Sequence, residues 1–363
     1  QDWKQEITIR KYDSPIAPTV LRDELEPEIV EAVMSVTERN YRLAQRWYEH
    51  KARVLGLKDF SSFDTLAPLQ HAPRRVSFDE ARGMVLAAMG AFAPQAGEIA
   101  ADFFNGRIDV LPRPGKRGGA FCSSFAPQEH AYVLLNFNGR LDDAFTLAHE
   151  LGHGLHAELG RQQRLVNYGH SLPLAETAST FNEMVLADYL LRDADEEMRR
   201  DLMATRVQDA VNTILRQVQI TRWEQRAHEA RAQGVVSSDA YSDLWMAEWT
   251  KLHGNAVNPV AGERWGWSVI PHVVNSRFYC YSYAFGMLLV MALFQQYKAD
   301  AQAFVPKYLN FLASANSRTP AELLASLGVN AQDPKFWQGG FDYLWATLSE
   351  LTGRNERPAD LDD

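Results

Sequence analysis

"TLAHELGHGLH", Thr146–His156, is the stretch that decides how the rest of the chain is read. Two histidines, His149 and His153, stand four residues apart, with Glu150 directly after the first. On a helix this spacing puts both imidazoles on one face, a single turn apart, so both can reach one ion. Glu150 then points roughly a quarter-turn away, near enough to meet a water beside that ion without ligating it. Zinc hydrolysis divides its labour in this way: neutral nitrogens hold the metal, one position stays open, and a carboxylate takes a proton from water. A bare H-E-x-x-H also arises by chance in a helix that is merely rich in histidine, so its surroundings have to decide.

A catalytic zinc site needs a third protein ligand. "LPLAETASTFNEM", residues 172–184, supplies Glu176 in an apolar, helical-looking stretch, with Glu183 seven residues on and therefore on the same face. Carboxylates on a buried face are costly unless they pair or bind a metal. Glu176 is read as the third ligand and Glu183 as the outer partner that orients a ligating histidine. The reverse assignment stays open, as does the plainer reading of two partly exposed helix glutamates. His156 shares a face with His149 but lies a further turn along, so it is assigned to the second shell or to packing. The longer pattern H-E-x-x-H-x-x-G-x-x-H fails here, because His156 takes the glycine position and Leu159 the histidine position.

Two other stretches carry chemistry. In "IPHVVNSRFYCYSYAFG", Ile270 to Gly286, a helix would align His272, Tyr279 and Tyr283 on one stripe and turn Tyr281 away. An imidazole and tyrosine hydroxyls suit the oxyanion that forms when water attacks a peptide carbonyl. Tyrosines at helical spacing are equally at home in a core with a tethered hydroxyl. "GKRGGAFCSSF", from Gly115, joins a glycine-rich turn to a strand-like segment. It reads either as a plain turn or as a loop, Gly118, Gly119 and Ala120, whose backbone approaches a peptide and pairs with it as an added strand. The spacing of a phosphate-binding loop is absent.

Around these motifs the chain reads as mostly amphipathic helix. Residues 27–57 repeat apolar positions at three- and four-residue spacing. Residues 77–104 look like two helices, with Ser77 and Glu80 placed as a capping box. A short β-like run, "HAYVLLNFNG", precedes the HELGH helix, helices dominate again from Glu176 to about Thr352, and a polar tail closes the chain. The 363 residues, 46% of them hydrophobic, are ample for a core. A net charge of -9 disfavours nucleic acid as a partner. No apolar run is long enough for a membrane span and none opens the chain as a signal peptide. The two cysteines, Cys122 and Cys280, form no CxxC pair; they read as reduced thiols of a cytoplasmic protein, one disulfide being the alternative.

Taken in order, "GKRGGAF", "FTLAHELGHGLH", "LAETASTFNE" and "PHVVNSRFYCYSYAFG" resemble the oligoendopeptidase F branch of the thimet oligopeptidase-like zinc metallopeptidases. The N-terminal "YDSPIAPTVLRDELEPEIVEAV" fits the segment upstream of that family's metal helix, so the resemblance covers nearly the whole chain. It implies a mainly α, helical zincin-type fold, a small β-sheet next to the metal helix, and a deep channel between two halves with zinc at its floor. It implies endopeptidase action on short unfolded oligopeptides. By position it makes His149, His153 and Glu176 the ligands of one zinc ion and Glu150 the general base. His272, Tyr279 and Tyr283 become candidates for oxyanion stabilisation, and Gly118, Gly119, Ala120 and Tyr281 for substrate binding.

Typical members carry a large helical region before the part that matches Gln1 onward, so this chain looks like the C-terminal three-fifths of such an enzyme. Residues 1–363 are read as a single zinc-peptidase catalytic domain. A natural short form, a fragment, or a channel completed by a second copy or a separate N-terminal chain would each account for the difference. Two other functions stay in view: a peptide-binding zinc protein with little catalysis, and a zinc carboxypeptidase. The latter needs a cationic pocket for the substrate C-terminus, with Arg277 and Lys116 as candidates.

Overall fold

The computed structural model describes residues 2–69 and 74–358, the side chain of Leu172 excepted; the last residues of the polar tail, 359–363, lie outside them. The chain forms two compact units. One comprises Gln1–Leu69, Met203–Leu288 and Ala331–Asp363, the other Gln70–Leu202 and Leu289–Asn330. Each is built from separate stretches of chain, so no single cut in the sequence divides them. Both are dominated by helices, and one three-stranded sheet accompanies them among the described residues.

In the first unit the apolar run 27–57 divides into two helices, Pro27–Arg39 and Arg42–Leu55. The break falls at Asn40, whose amide nitrogen donates to Val36 O at 2.9 Å and to Gln338 Oε1 at 2.9 Å. Its side-chain oxygen accepts the indole N–H of Trp345, from the helix Pro334–Thr352, at 2.9 Å. A polar residue at a helix junction thus also satisfies a fully buried tryptophan. Arg222, on the helix Arg216–Gln233, clamps Glu31 and Glu38 of the Pro27–Arg39 helix at 2.7 and 2.8 Å.

The second unit holds the HELGH helix. Ser77 and Glu80 form the expected capping box, Ser77 Oγ accepting from Glu80 N at 3.2 Å and Glu80 Oε2 accepting from Ser77 N at 2.7 Å. The helix so started, Phe78–Phe92, ends where Pro94 opens the next, Pro94–Phe103. Three short strands follow: β1 (Ile108–Asp109), β2 (Phe121–Ser123) and β3 (Tyr132–Leu134). Their order is β1-β3-β2, with β3 parallel to β1 and antiparallel to β2, Cys122 opposite Val133. Among the described residues β2 pairs on one side only. The sheet ends where Asp143 Oδ2 accepts the amides of Asn138 at 2.8 Å and Arg140 at 2.9 Å, which opens the helix Leu141–Gly160.

This metal helix packs tightly on Thr177–Leu191, and Gly152 is the reason it can. A Cβ at Gly152 would lie 2.5 Å from Ala178 O and 2.6 Å from Ser179 Cα, so backbone meets backbone there and only glycine fits. Asn182 donates to Ala148 O at 3.1 Å across the same seam. Beneath it Phe181 stacks on Tyr308 with ring centroids 4.5 Å apart, and Phe92 meets Phe181 edge-on at 5.4 Å. No helix among the described residues is long and apolar enough to cross a membrane. Both cysteines are free thiols.

Candidate metal centre

His149 and His153 project from successive turns of Leu141–Gly160, their ring centroids 4.9 Å apart. Glu176 Oε2 lies 3.3 Å from the Nε2 of each. One ligand atom from each of the three residues falls within 4.8 Å of the others. On the far side of His149, Nδ1 stands 2.6 Å from Glu183 Oε1. A carboxylate can only accept, so Nδ1 carries a proton toward Glu183, and Nε2 is the nitrogen left to face Glu176.

The two glutamates reach this point by a route that the spacing alone misses. Glu176 is not inside a helix. It is the junction residue between the short helix Leu172–Ala175 and Thr177–Leu191, with φ -91° and ψ 2°. Nor is its side chain on a buried face, since 52% of it is exposed. The apolar neighbours that suggested burial, Ala178 and Phe181 among them, turn inward while Glu176 turns outward. Ser179, which the sequence reading passed over, donates its hydroxyl to Glu176 Oε2 at 2.8 Å and so fixes the carboxylate from the first turn of the next helix. A hydroxyl three residues after a candidate ligand is the signal that could have identified it.

Electrostatics hold the cluster together. Burial favours neutral His149, yet hydrogen bonds and charge from Glu176 and Glu183 outweigh it and push the imidazole up to about 10. Burial likewise favours protonated Glu176, but His149 and His153 hold it well below the usual carboxylate range. Glu150 behaves oppositely. It is buried, its Oε2 has no partner, and burial pushes its carboxyl up; His149, His153 and the Cys122 amide of β2 pull it down by less.

Two imidazoles and one carboxylate form a donor set suited to zinc, with an open position left over. A buried carboxylate oxygen without a partner, next to that set, is what a water-activating base would leave in the absence of its water. The residues therefore fit a zinc ion. His156 stands apart from them: fully buried, it stacks on His170 at 3.6 Å, and burial drives its pKa well down, so it packs as a neutral ring.

The glycine-rich loop lies immediately before β2. Gly118 and Gly119 are exposed and Ala120 is half-buried. Asn136 donates to Arg117 O at 3.0 Å and to Gly119 O at 2.8 Å, and Gly119 needs its positive φ of 81°. The side chain of Lys116 is almost wholly buried, its ammonium bonded to Asp109 Oδ1 at 3.0 Å and Leu135 O at 2.6 Å. A lysine so engaged is not free to receive a peptide C-terminus, which removes one of the two cations a carboxypeptidase pocket required. The other, Arg277, lies over the ring of Trp3 at 5.3 Å.

In the other unit, the 270–286 stretch is not one helix. A four-residue helix, His272–Asn275, is followed by a turn and then by Tyr281–Ala299. The turn still gathers the expected side chains. His272 and Tyr279 stack at 5.3 Å and 11°, and the Tyr283 hydroxyl lies 3.3 Å from His272 Nε2. Tyr281 is corrected: it is fully buried, and its hydroxyl donates to Asp23 Oδ2 at 2.6 Å, so it belongs to the core and not to a substrate surface.

Residues 98–343, which take in the metal helix and the 270–286 stretch, match Peptidase family M3. The chain belongs to this family. Among M3 relatives, the oligoendopeptidase F homolog of Lactococcus lactis subsp. lactis (strain IL1403) is 29% identical over 347 residues, 94% of this chain and 57% of that protein. Oligopeptidase PepF of Bacillus subtilis (strain 168) is 27% identical over 334 residues, 90% of this chain and 49% of that protein. The chain thus spans about half the length of these curated relatives. A crystal structure from Chlamydophila abortus, 26% identical, superposes with a TM-score of 0.90 over 97% of this chain and 59% of its own. Oligoendopeptidase-F from Enterococcus faecium, 22% identical, shares the fold with a TM-score of 0.74 over 97% of this chain and 57% of its own. The mainly helical M3 fold with its small sheet agrees with the architecture expected from the motifs.

Proposed function

We propose that this chain is the catalytic part of a zinc-dependent endopeptidase that hydrolyses internal bonds of short unfolded oligopeptides in the cytoplasm. The observation that carries the reading is the meeting of His149 Nε2, His153 Nε2 and Glu176 Oε2 beside Glu150, whose Oε2 has no partner. The three would hold one zinc ion, which would supply the positive charge that acidifies a water and polarises a peptide carbonyl. Glu150 takes the proton from the attacking water as its oxygen bonds to the carbonyl carbon. It then gives that proton to the amide nitrogen as the C–N bond breaks. Its raised pKa suits both steps, since a stronger base takes the proton more readily and remains able to return it.

The supporting roles follow from geometry. Glu183 keeps His149 in the ligating tautomer. The loop of exposed Gly118 and Gly119 and half-buried Ala120, leading into a strand that among the described residues pairs on one side only, is suited to receive an extended peptide as an added strand. The His272, Tyr279 and Tyr283 cluster is assigned to hydrogen bonding with the substrate carbonyl and its developing oxyanion. The two units are taken to work as one catalytic domain.

The test is cleavage of a short quenched fluorescent peptide with and without a chelator, with the cut mapped by mass. Chelator-sensitive internal cleavage is expected. Release of single residues from the C-terminus would transfer the chain to the carboxypeptidases, and zinc binding without turnover would turn the search to a partner chain or to a peptide-binding role.

A further inference from the structure

The turn that carries Tyr279 is held in a conformation its residues do not favour. Phe278 has φ 56°, in the left-handed region that a bulky side chain rarely enters, and it is fully buried. Such a residue persists only where its surroundings over-determine it. Two groups do so. Thr19 Oγ1 donates to Arg277 O at 3.0 Å, and Oε1 of Glu224, from the helix Arg216–Gln233, accepts the Phe278 N–H at 2.9 Å. Glu224 is 2% exposed and its Oε2 has no partner. One backbone amide is a small return for burying a carboxyl group. Its placement is informative: the strained residue precedes Tyr279, whose ring stacks on His272, which in turn meets the Tyr283 hydroxyl.

We propose that Glu224 is a positioning residue: by holding the Phe278 amide it sets the strained turn and, through it, the His272–Tyr279–Tyr283 stack. The inference rests on the reading of that stack as a group that touches substrate. Glu224 acts through the backbone, by its bond to the Phe278 amide. Burial favours the neutral form of its carboxyl group, with the Phe278 amide and Arg277 pulling less strongly the other way. A glutamine, neutral and still an acceptor, is therefore a close substitute.

The experiment is a double-mutant cycle on peptide cleavage, with zinc content measured for every variant. Glu224→Leu is expected to lower kcat about tenfold or more, with KM and zinc content little changed, because a displaced donor costs turnover before binding. Glu224→Gln restores the acceptor and is expected to stay within about twofold of the parent. In a Tyr279→Phe/Tyr283→Phe background, Glu224→Leu should add less than about twofold, since the groups it positions are already gone. A merely structural Glu224 would cost the same factor in both backgrounds, and that result overturns the proposal, as does a Glu224→Leu variant of parental kcat. If Tyr279→Phe/Tyr283→Phe alone keeps parental activity, the reading of the stack fails first, and the positioning role falls with it. Should Glu224→Leu not fold, Glu224→Asp, too short to reach the amide, carries the same expectations.

Discussion

The candidate metal centre and the 272–283 turn each bring a histidine together with partners distant in sequence, but by different means. At the metal centre, regular helix does most of the placing. His149 and His153 are one turn apart on Leu141–Gly160, and Gly152 lets Thr177–Leu191 come close enough for Glu183 to reach His149 Nδ1 at 2.6 Å. In the turn, regular structure ends, and Phe278 sits at φ 56° under the hold of Glu224 and Thr19. The first arrangement is secured by repeat geometry and close packing. The second depends on a few buried polar contacts, so single changes should loosen it without unfolding its surroundings.

That contrast can be tested from its strong end to its weak one. Removing Glu176 takes away a proposed ligand, so Glu176→Ala should cost more zinc affinity than any outer-partner change; unchanged zinc content by elemental analysis would move the third ligand to Glu183. Glu183→Gln leaves all three ligands but loses the carboxylate behind His149, and a competition titration should show zinc affinity falling about 10–100-fold. Gly152→Ala drives a methyl group into the Ala178 carbonyl. It should destabilise the chain by about 1–3 kcal/mol in denaturant unfolding, as overpacking does. An unaffected midpoint would mean that the helix seam is looser than its 2.5 Å approach indicates.

The smallest effect concerns pH in the other unit. Burial pushes Glu224 from the ordinary 4.5 up to about 8. The folded chain therefore keeps a proton between those values that the unfolded chain releases. This contribution to stability is complete below about pH 4.5 and is lost as pH rises toward 8. Glutamine does not titrate, so Glu224→Gln escapes this loss and its Tm should gain on the parent as pH rises across that window; parallel Tm curves would show the carboxyl group to be ordinary.

What was legible in the sequence follows the same division. The H-E-x-x-H face, the capping box at Ser77 and Glu80 and the division of residues 77–104 into two helices are local patterns, and the fold carries them as read. Glu176 and Glu183 were found by a seven-residue spacing that assumed one continuous helix, whereas Glu176 sits at a helix junction. Glu176 Oε2 stands beside both histidines and Glu183 beside His149 Nδ1, though not by the geometry assumed. Ser179 was passed over although it stands three residues after Glu176, and Glu224 was invisible because the Phe278 amide it accepts from is a group that periodicity does not mark. The helical spacing already turned Tyr281 away from the stripe; its assignment to substrate binding came with the resemblance, and Asp23, 258 residues away in sequence, claims its hydroxyl. The two-residue β1 has no alternation to detect.

The central claim is that Glu150 is the base of a zinc peptidase whose ligands are separate from it. It is tested most directly by measuring zinc content and peptide turnover together in Glu150→Gln. The account predicts one zinc per chain, as in the parent, and a kcat lower by about 10²–10⁴-fold. Turnover near the parental rate with zinc in place would contradict it.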